Sequence, residues 1–206
     1  GYKNLTKLSS ISYLKNDGKT EPSCNLEDLK ENSEDLVLLT GNYKNFFGQL
    51  FYKNKLKDFE QILNTLKNSF KDKLYIEIQR HNEHQEKSFE NYLLNISKSL
   101  DLPLIATQEI FYLNENMYEA HDALVCIGEK SFVDDKNRFR YSNQHYLKSQ
   151  EELEKLYSDI PEALENNYNF HLRFNFKPKK SKPILPSIAN KESSSPEEEL
   201  SKLAKK

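Results

Sequence analysis

Residues 103–113 read PLIATQEIFYL, a short apolar run that ends abruptly in polar residues. The run from Pro103 to Thr107 has the length and composition of a buried strand. In α/β proteins, functional side chains usually follow the carboxyl ends of parallel strands, which is where Glu109 and Phe111 would lie. The stretch therefore predicts one strand of a parallel sheet with a candidate site directly after it.

Upstream, two further apolar runs alternate with helical patterns. Residues 35–40 (DLVLLT) and 74–79 (LYIEIQ) are typical of strands, whereas residues 55–70 and 85–100 place apolar side chains at helical spacing. The order β-α-β-α-β favours parallel strands joined by right-handed crossovers. We therefore predict an α/β fold.

Downstream, the patterns predict more helix than sheet. Residues 116–127 form a predicted helix whose apolar face would carry Tyr118, Leu124, Val125 and Ile127, with Cys126 as a small core residue. Ser149 is followed three residues later by Glu152, a capping-box spacing, and Pro161 suits the first position of another helix. A helical segment is thus expected after the sheet.

The carboxyl-terminal part of the chain changes in composition. Residues 177–196 are rich in Pro, Lys and Ser and indicate a connector. Ser195-Pro196 with the acids that follow predicts a helix start close to the last residue, which suggests a longer parent chain. The predicted organisation is a domain over 1–176, a connector over 177–196, and the start of a helix over 197–206.

Composition excludes several classes of function. In 206 residues, 30 Lys and Arg stand against 32 acids, so no global attraction to nucleic acid is expected. Five widely spaced glycines provide no phosphate-binding loop, and two distant cysteines provide neither a disulfide framework nor a zinc motif. No signal peptide or long apolar run is present, so we expect a cytoplasmic protein without a membrane association.

Polar residues at the ends of two strands suggest a candidate site. Because parallel strands end at one rim, Glu77, His81 and Glu109 are expected within reach of one another. Such residues could hold a divalent metal that activates water for hydrolysis. The alternative is a solvated rim, which is the more common outcome for such residues. His84 is expected to form an exposed pair with His81, and His121 to be a hydrogen-bonded helix residue. His145 and His171 have no acidic or nucleophilic companions at a recognisable spacing.

Several motifs together identify a family resemblance. They are GYKNLTKLSSISYL, LVLLTG, LYIEIQRH, LPLIATQEIFYL, EAHDALVCI, HYLKSQEELEKLYSDIPEALENNYNF and PEEELSKLAKK. Their order resembles the alpha subunits of bacterial DNA polymerase III over nearly the whole chain. The resemblance implies the second half of the polymerase-and-histidinol-phosphatase (PHP) domain, followed by the entry to the palm. The fold would then be an incomplete, distorted β/α barrel, with the family's opening His-x-His segment upstream of Gly1.

The resemblance also implies a degenerate metal site. Of four ligand positions expected in this segment, the thiol is replaced by Asn42 and the histidine is present as His81. The expected Asp-x-His is Glu109-Ile110-Phe111, and a phenyl ring cannot bind a metal. Since affinity depends on ligand number and geometry, His81 and Glu109 are predicted to be the vestige of a metal site.

The function implied by the resemblance is that of a scaffold. The segment would support the polymerase core and dock the proofreading exonuclease and other replicase subunits, while DNA would bind through the parent chain. No catalytic residue and no cofactor are expected within this segment; Mg²⁺ is expected at the parent's palm site beyond Lys206. One alternative is a metal-dependent phosphoesterase or 3′-5′ exonuclease PHP domain, and another is a free-standing α/β interaction module.

Overall fold

The structure is a computed structural model that describes residues 1–18, 20–177, 179–183 and 195–205. The chain divides into two compact units, Gly1–Arg173 and Phe174–Lys206. Among the described residues, no helix is both long and apolar enough to cross a membrane. The first unit contains the sheet and the candidate site.

Three parallel strands form the sheet of the first unit. They are β1 (Leu38–Leu39), β2 (Leu74–Gln79) and β3 (Leu104–Thr107), with β2 in the centre. Leu38 pairs with Leu74, and Ile76 pairs with Leu104. The predicted parallel β-α-β-α-β order is confirmed, and the sheet is open within the described part of the chain.

Most of the regular structure in the described residues is helical. The α-helices are α1 (Tyr2–Leu14), α2 (Leu26–Glu31), α3 (Phe46–Tyr52), α4 (Leu56–Phe70), α5 (Glu86–Leu100), α6 (Tyr118–Glu129), α7 (Gln150–Leu156), α8 (Pro161–Phe170) and α9 (Pro196–Ala204). Short 3-10 turns occupy Lys71–Lys73, Glu115–Met117 and His171–Arg173. The helices predicted at 55–70 and 85–100 are confirmed as α4 and α5.

The core lies between β2 and the two crossover helices. β2 is buried on both faces because α4 and α5 pack against it with apolar stripes, as parallel sheets require. The buried residues of those stripes are Phe59, Leu63, Leu66 and Phe70 of α4, and Phe89, Leu93 and Ile96 of α5. Tyr157 and Ala163 extend the core from the α7–α8 region. The core therefore fixes the positions at which β2 and β3 end.

β1 is shorter than the predicted strand at 35–40. The backbone turns before it, where Asp35 has a φ of 56°, and after it, where Gly41 has a φ of 80°. At the end of β1, the Thr40 hydroxyl accepts a hydrogen bond from the backbone N–H of Glu77 at 3.0 Å. A side chain thus continues the contact to β2 after the regular ladder has stopped.

The predicted apolar face of α6 is wrong at two of its four residues, since Tyr118 and Val125 are half-buried. Leu124 and Ile127 are 64% and 76% exposed, whereas Asp122 and Cys126 are buried. Asp122 points inward because it is ion-paired with Arg138 from the segment after the helix. The burial of Cys126 agrees with the expected core role. The apolar spacing did not predict the ion pair, which contributes to the orientation of α6.

The second unit contains α9. Its start agrees with the prediction, since the Ser195 side chain accepts from Glu198 N at 3.3 Å and Glu198 accepts from Ser195 N at 3.4 Å. Most of the predicted connector, 177–196, lies outside the described residues. The domain boundaries stated from the sequence therefore stay predictions.

Candidate functional site

His81 follows β2 and is held by the start of α5. Its backbone N–H donates to both Glu86 carboxylate oxygens, at 3.0 and 2.9 Å, and its Nδ1 lies 3.3 Å from Glu86 Oε1. Burial raises the pKa of Glu86, but hydrogen bonds from His81 and from Glu83 N outweigh it, so the pKa is lowered overall. Glu86 is therefore an ionised anchor that orients the His81 ring.

Glu109 follows β3 and meets His81 through its backbone. The Glu109 N–H donates to His81 Nε2 at 3.1 Å, so that nitrogen accepts and Nδ1 carries the proton. The structure therefore brings together the two residues predicted as a vestigial site. Since Glu86 occupies Nδ1 and Glu109 occupies Nε2, both ring nitrogens of His81 already have protein partners.

Glu77 has a different role from the one expected. Its carboxylate accepts from Gly41 N at 3.0 Å and from Gln79 Nε2 at 2.9 Å, and it also bonds the Thr107 hydroxyl. These partners come from the chain following β1, from β2, and from β3. Glu77 thus connects the three strands instead of facing His81.

Asn42 occupies the position where the resemblance implies a thiol. Its Nδ2 donates to Gln79 Oε1 at 3.0 Å, and its Oδ1 accepts from Lys44 N at 2.9 Å. The amide is therefore satisfied as a connector between the loop after β1 and the end of β2.

His145 is a site residue that the sequence did not indicate. Its side chain is 1% exposed, and its Nδ1 lies 3.0 Å from the Glu109 carbonyl oxygen, so Nδ1–H donates. The Phe111 N–H donates to the His145 carbonyl at 2.9 Å, within a bridge that pairs Tyr112 with Tyr146. This long-range pairing, together with a hydrogen bond from the Ser142 hydroxyl to the His81 carbonyl, brings His145 to the rim. No local motif signals it.

Four rings form a continuous stack at the rim, here named the ring stack: His81, His145, Phe111 and His121. The His81 and His145 rings are parallel, with centroids 4.2 Å apart and 1° between their planes. Phe111 follows at 5.0 Å from His145, and His121 of α6 at 5.2 Å from Phe111. Burial, and then the adjacent His81, hold the pKa of His145 below its usual range.

The chain is similar to known proteins over nearly its whole length. Residues 1–81 match the family model for the PHP domain. The chain is 36% identical over 200 residues to the DNA polymerase III subunit alpha of Caulobacter vibrioides, covering 97% of this chain and 18% of that protein. It is 35% identical over 192 residues to the subunit alpha of Rickettsia bellii (93% and 16%), and 35% over 188 residues to that of Borreliella burgdorferi (90% and 16%).

The chain is a homologue of DNA polymerase III alpha subunits. It corresponds to their PHP region, and it spans less than a fifth of the length of these relatives. The resemblance read from the motifs is confirmed. The open parallel sheet agrees with part of the distorted barrel expected for a PHP domain.

Two of the positions where the resemblance implies metal ligands offer no free nitrogen. His81 has no free ring nitrogen, and Phe111 presents carbon. Within the described ranges, no group of three or more His, Cys, Asp and Glu side chains is arranged to hold a metal ion. The rim is built from hydrogen bonds and stacked rings.

Proposed function

We propose that this chain is the PHP segment of a DNA polymerase III alpha subunit and acts there as a non-catalytic platform. The parent would be a DNA-directed DNA polymerase with Mg²⁺ at a palm site outside these residues. The identity to named alpha subunits over more than nine tenths of the chain supports the parent. The platform role rests on the chemistry of the rim.

The observation that carries this proposal is the engagement of His81. Hydrolysis by a metal-bound water needs a firmly held cation with an open coordination position. His81 contributes both ring nitrogens to protein contacts, and Phe111 stands where the resemblance implies an imidazole. These residues favour a structural rim over a phosphoesterase or exonuclease centre.

The partners proposed for the platform are a proofreading exonuclease and other replicase subunits, with DNA bound through the parent. This part rests on the resemblance alone. Binding of the exonuclease subunit to the parent should weaken clearly when residues 1–173 are deleted, while polymerase subunits lacking other regions serve as controls. Equal binding with and without residues 1–173 would exclude docking on this segment.

Activity measurements on the parent subunit separate the platform from the phosphoesterase alternative. We expect substoichiometric Mn²⁺ or Zn²⁺ at this rim and no nuclease activity that depends on it. His81→Ala is the informative variant, and removal of the palm carboxylates is its control. Tight stoichiometric metal, with exonuclease activity lost in His81→Ala but kept without the palm carboxylates, would establish the alternative.

Restoring the metal ligands that the resemblance implies tests whether their loss weakens metal binding at the rim. Replacing Glu109→Asp, Phe111→His and Asn42→Cys together should raise metal affinity in the parent, provided that upstream ligands are present. The matched control, Glu109→Asp, Phe111→Tyr and Asn42→Ser, changes the same positions without an imidazole or a thiol. Equal metal affinity in both triple variants would contradict the vestigial-site interpretation.

A further inference from the structure

The His145 ring is buried, although only one of its two nitrogens has a hydrogen-bond partner among the described residues. Its Nδ1–H donates to the Glu109 carbonyl, but its buried Nε2 has no hydrogen-bond partner among the described residues. Glu83 Oε1 lies 3.7 Å from this nitrogen, beyond hydrogen-bonding distance. The contacts that position the His145 ring are therefore its stacking on neighbouring rings and the hydrogen bond of Nδ1, not Nε2.

Those contacts join the two strand ends at the rim. On one face, the His145 ring stacks on His81, which follows β2; on the other, it stacks on Phe111, which follows β3. Its Nδ1 and its carbonyl oxygen bind the backbone of Glu109 and Phe111. A single side chain thus contacts both loops that a bridging metal would have to join.

We propose that His145 holds the ends of β2 and β3 together, through the ring stack, in the place where a metal ion would otherwise cross-link them. The rim is then organised by one imidazole that lies between two rings. This role of His145 in the architecture of the rim is separate from the platform function. It holds whether or not the parent docks an exonuclease.

The surroundings of Nε2 do not favour a cation as its missing partner. Glu83 Oε1, the nearest carboxylate oxygen, accepts a hydrogen bond from Ser142 N at 3.1 Å. The same oxygen lies 3.9 Å from Lys44 Nζ, whose charge would repel a metal ion. The carboxylate oxygen that would complete a site is therefore already bound by a backbone N–H and lies near a lysine.

Thermal unfolding of the full chain tests the inference through three variants. His145→Ala removes the central ring and should lower Tm by about 5 °C. His145→Phe keeps a stacking ring and removes the unpaired nitrogen, so its Tm should lie between those of His145→Ala and the wild type. His171→Ala, at an exposed histidine, is the matched control and should leave Tm unchanged. Equal Tm values for His145→Ala and this control would overturn the inference.

Hydrogen exchange in the unmodified protein keeps the test independent of how the variants fold. The amides of Glu109 and Phe111 donate to His81 and His145, so they should exchange slowly. Their protection, and the Tm, should not change when EDTA is added, because no metal is required. Faster exchange or a lower Tm in EDTA would show that a metal organises this rim and would overturn the inference.

Discussion

The side-chain amide of Asn167 pairs with both backbone groups of Ala106. Ala106 N–H donates to Asn167 Oδ1 at 3.1 Å, and Asn167 Nδ2 donates to Ala106 O at 2.6 Å. Asn166 Nδ2 donates to Leu104 O at 2.7 Å in the same way. Because open strand edges pair readily with other chains, α8 protects the outer edge of β3 by imitating a neighbouring strand.

Removing this amide should destabilise the first unit. Asn167→Ala leaves the N–H and C=O of Ala106 without their partner, and we expect a loss of about 1–3 kcal/mol in the free energy of unfolding. Asn169→Ala, at an exposed position of the same helix, is the matched control. Chemical denaturation of both variants measures the difference, and similar losses would show that the β3 edge does not depend on Asn167.

The capping box at the start of α7 gives a second prediction. The Ser149 side chain accepts from Glu152 N at 3.2 Å, and Glu152 accepts from Ser149 N at 2.7 Å. Ser149→Ala should cost about 1 kcal/mol of stability, whereas Ser149→Asp keeps an acceptor and should remain close to the wild type. If Ser149→Ala is as stable as the wild type, the cap contributes nothing measurable.

Limited proteolysis tests the predicted connector. Its composition of Pro, Lys and Ser predicts that trypsin cleaves first between residues 177 and 196, at lysines not followed by proline, such as Lys179 and Lys180. The lysines of α4 should be cut later because that helix packs on the core. Early cleavage within α4, with residues 177–196 protected, would mean that the predicted boundary is misplaced.

The strands and crossover helices could be predicted from the sequence because burial dominates there. β2 lies in the centre of the sheet, so its apolar run matches the observed strand from Leu74 to Gln79. α4 and α5 each bury one stripe of apolar side chains, and the helical spacing of those residues is visible in the sequence. These elements depend on local patterns, which is why one sequence was sufficient.

Long-range contacts account for what the sequence did not reveal. His145 reaches the rim through the bridge between Tyr112 and Tyr146, which no periodicity signals. The orientation of α6 depends on the pairing of Asp122 with Arg138, 16 positions later. In both cases the partners are far apart along the chain, so neither helical spacing nor alternation could identify them.

Asp122 forms an ion cluster with two arginines, which makes the stability of the fold depend on pH. Arg138 Nη1 donates to Asp122 Oδ1 at 2.6 Å, and Arg140 Nη2 donates to Oδ2 at 3.0 Å. The hydrogen bonds from Arg138 lower the pKa of Asp122 from 3.8 to about 2. Burial opposes this effect, and Arg140 adds to it. The ionised carboxylate is therefore stabilised in the folded state.

Because the pKa of Asp122 is lowered in the folded state, its contribution to the stability of the fold should decrease as the pH falls. Above the unfolded-state pKa, near 3.8, the carboxylate is ionised in both states and its stabilising contribution is complete. As the pH falls towards about 2, the unfolded state binds a proton more readily than the folded state does. The contribution of Asp122 should therefore be lost progressively between about pH 4 and pH 2.

Comparing Asp122→Asn with the wild type isolates this contribution. At neutral pH, the variant leaves the half-buried Arg138 without its counter-charge, and we expect a clear decrease in the free energy of unfolding. The difference should shrink as the pH falls from about 4 towards 2, because the wild-type carboxyl then becomes neutral like the amide. Asp134→Asn, at an exposed aspartate, is the control and should follow the wild type throughout. A difference that stays constant over this range would show that Asp122 stabilises the fold by hydrogen bonding alone and not by its charge.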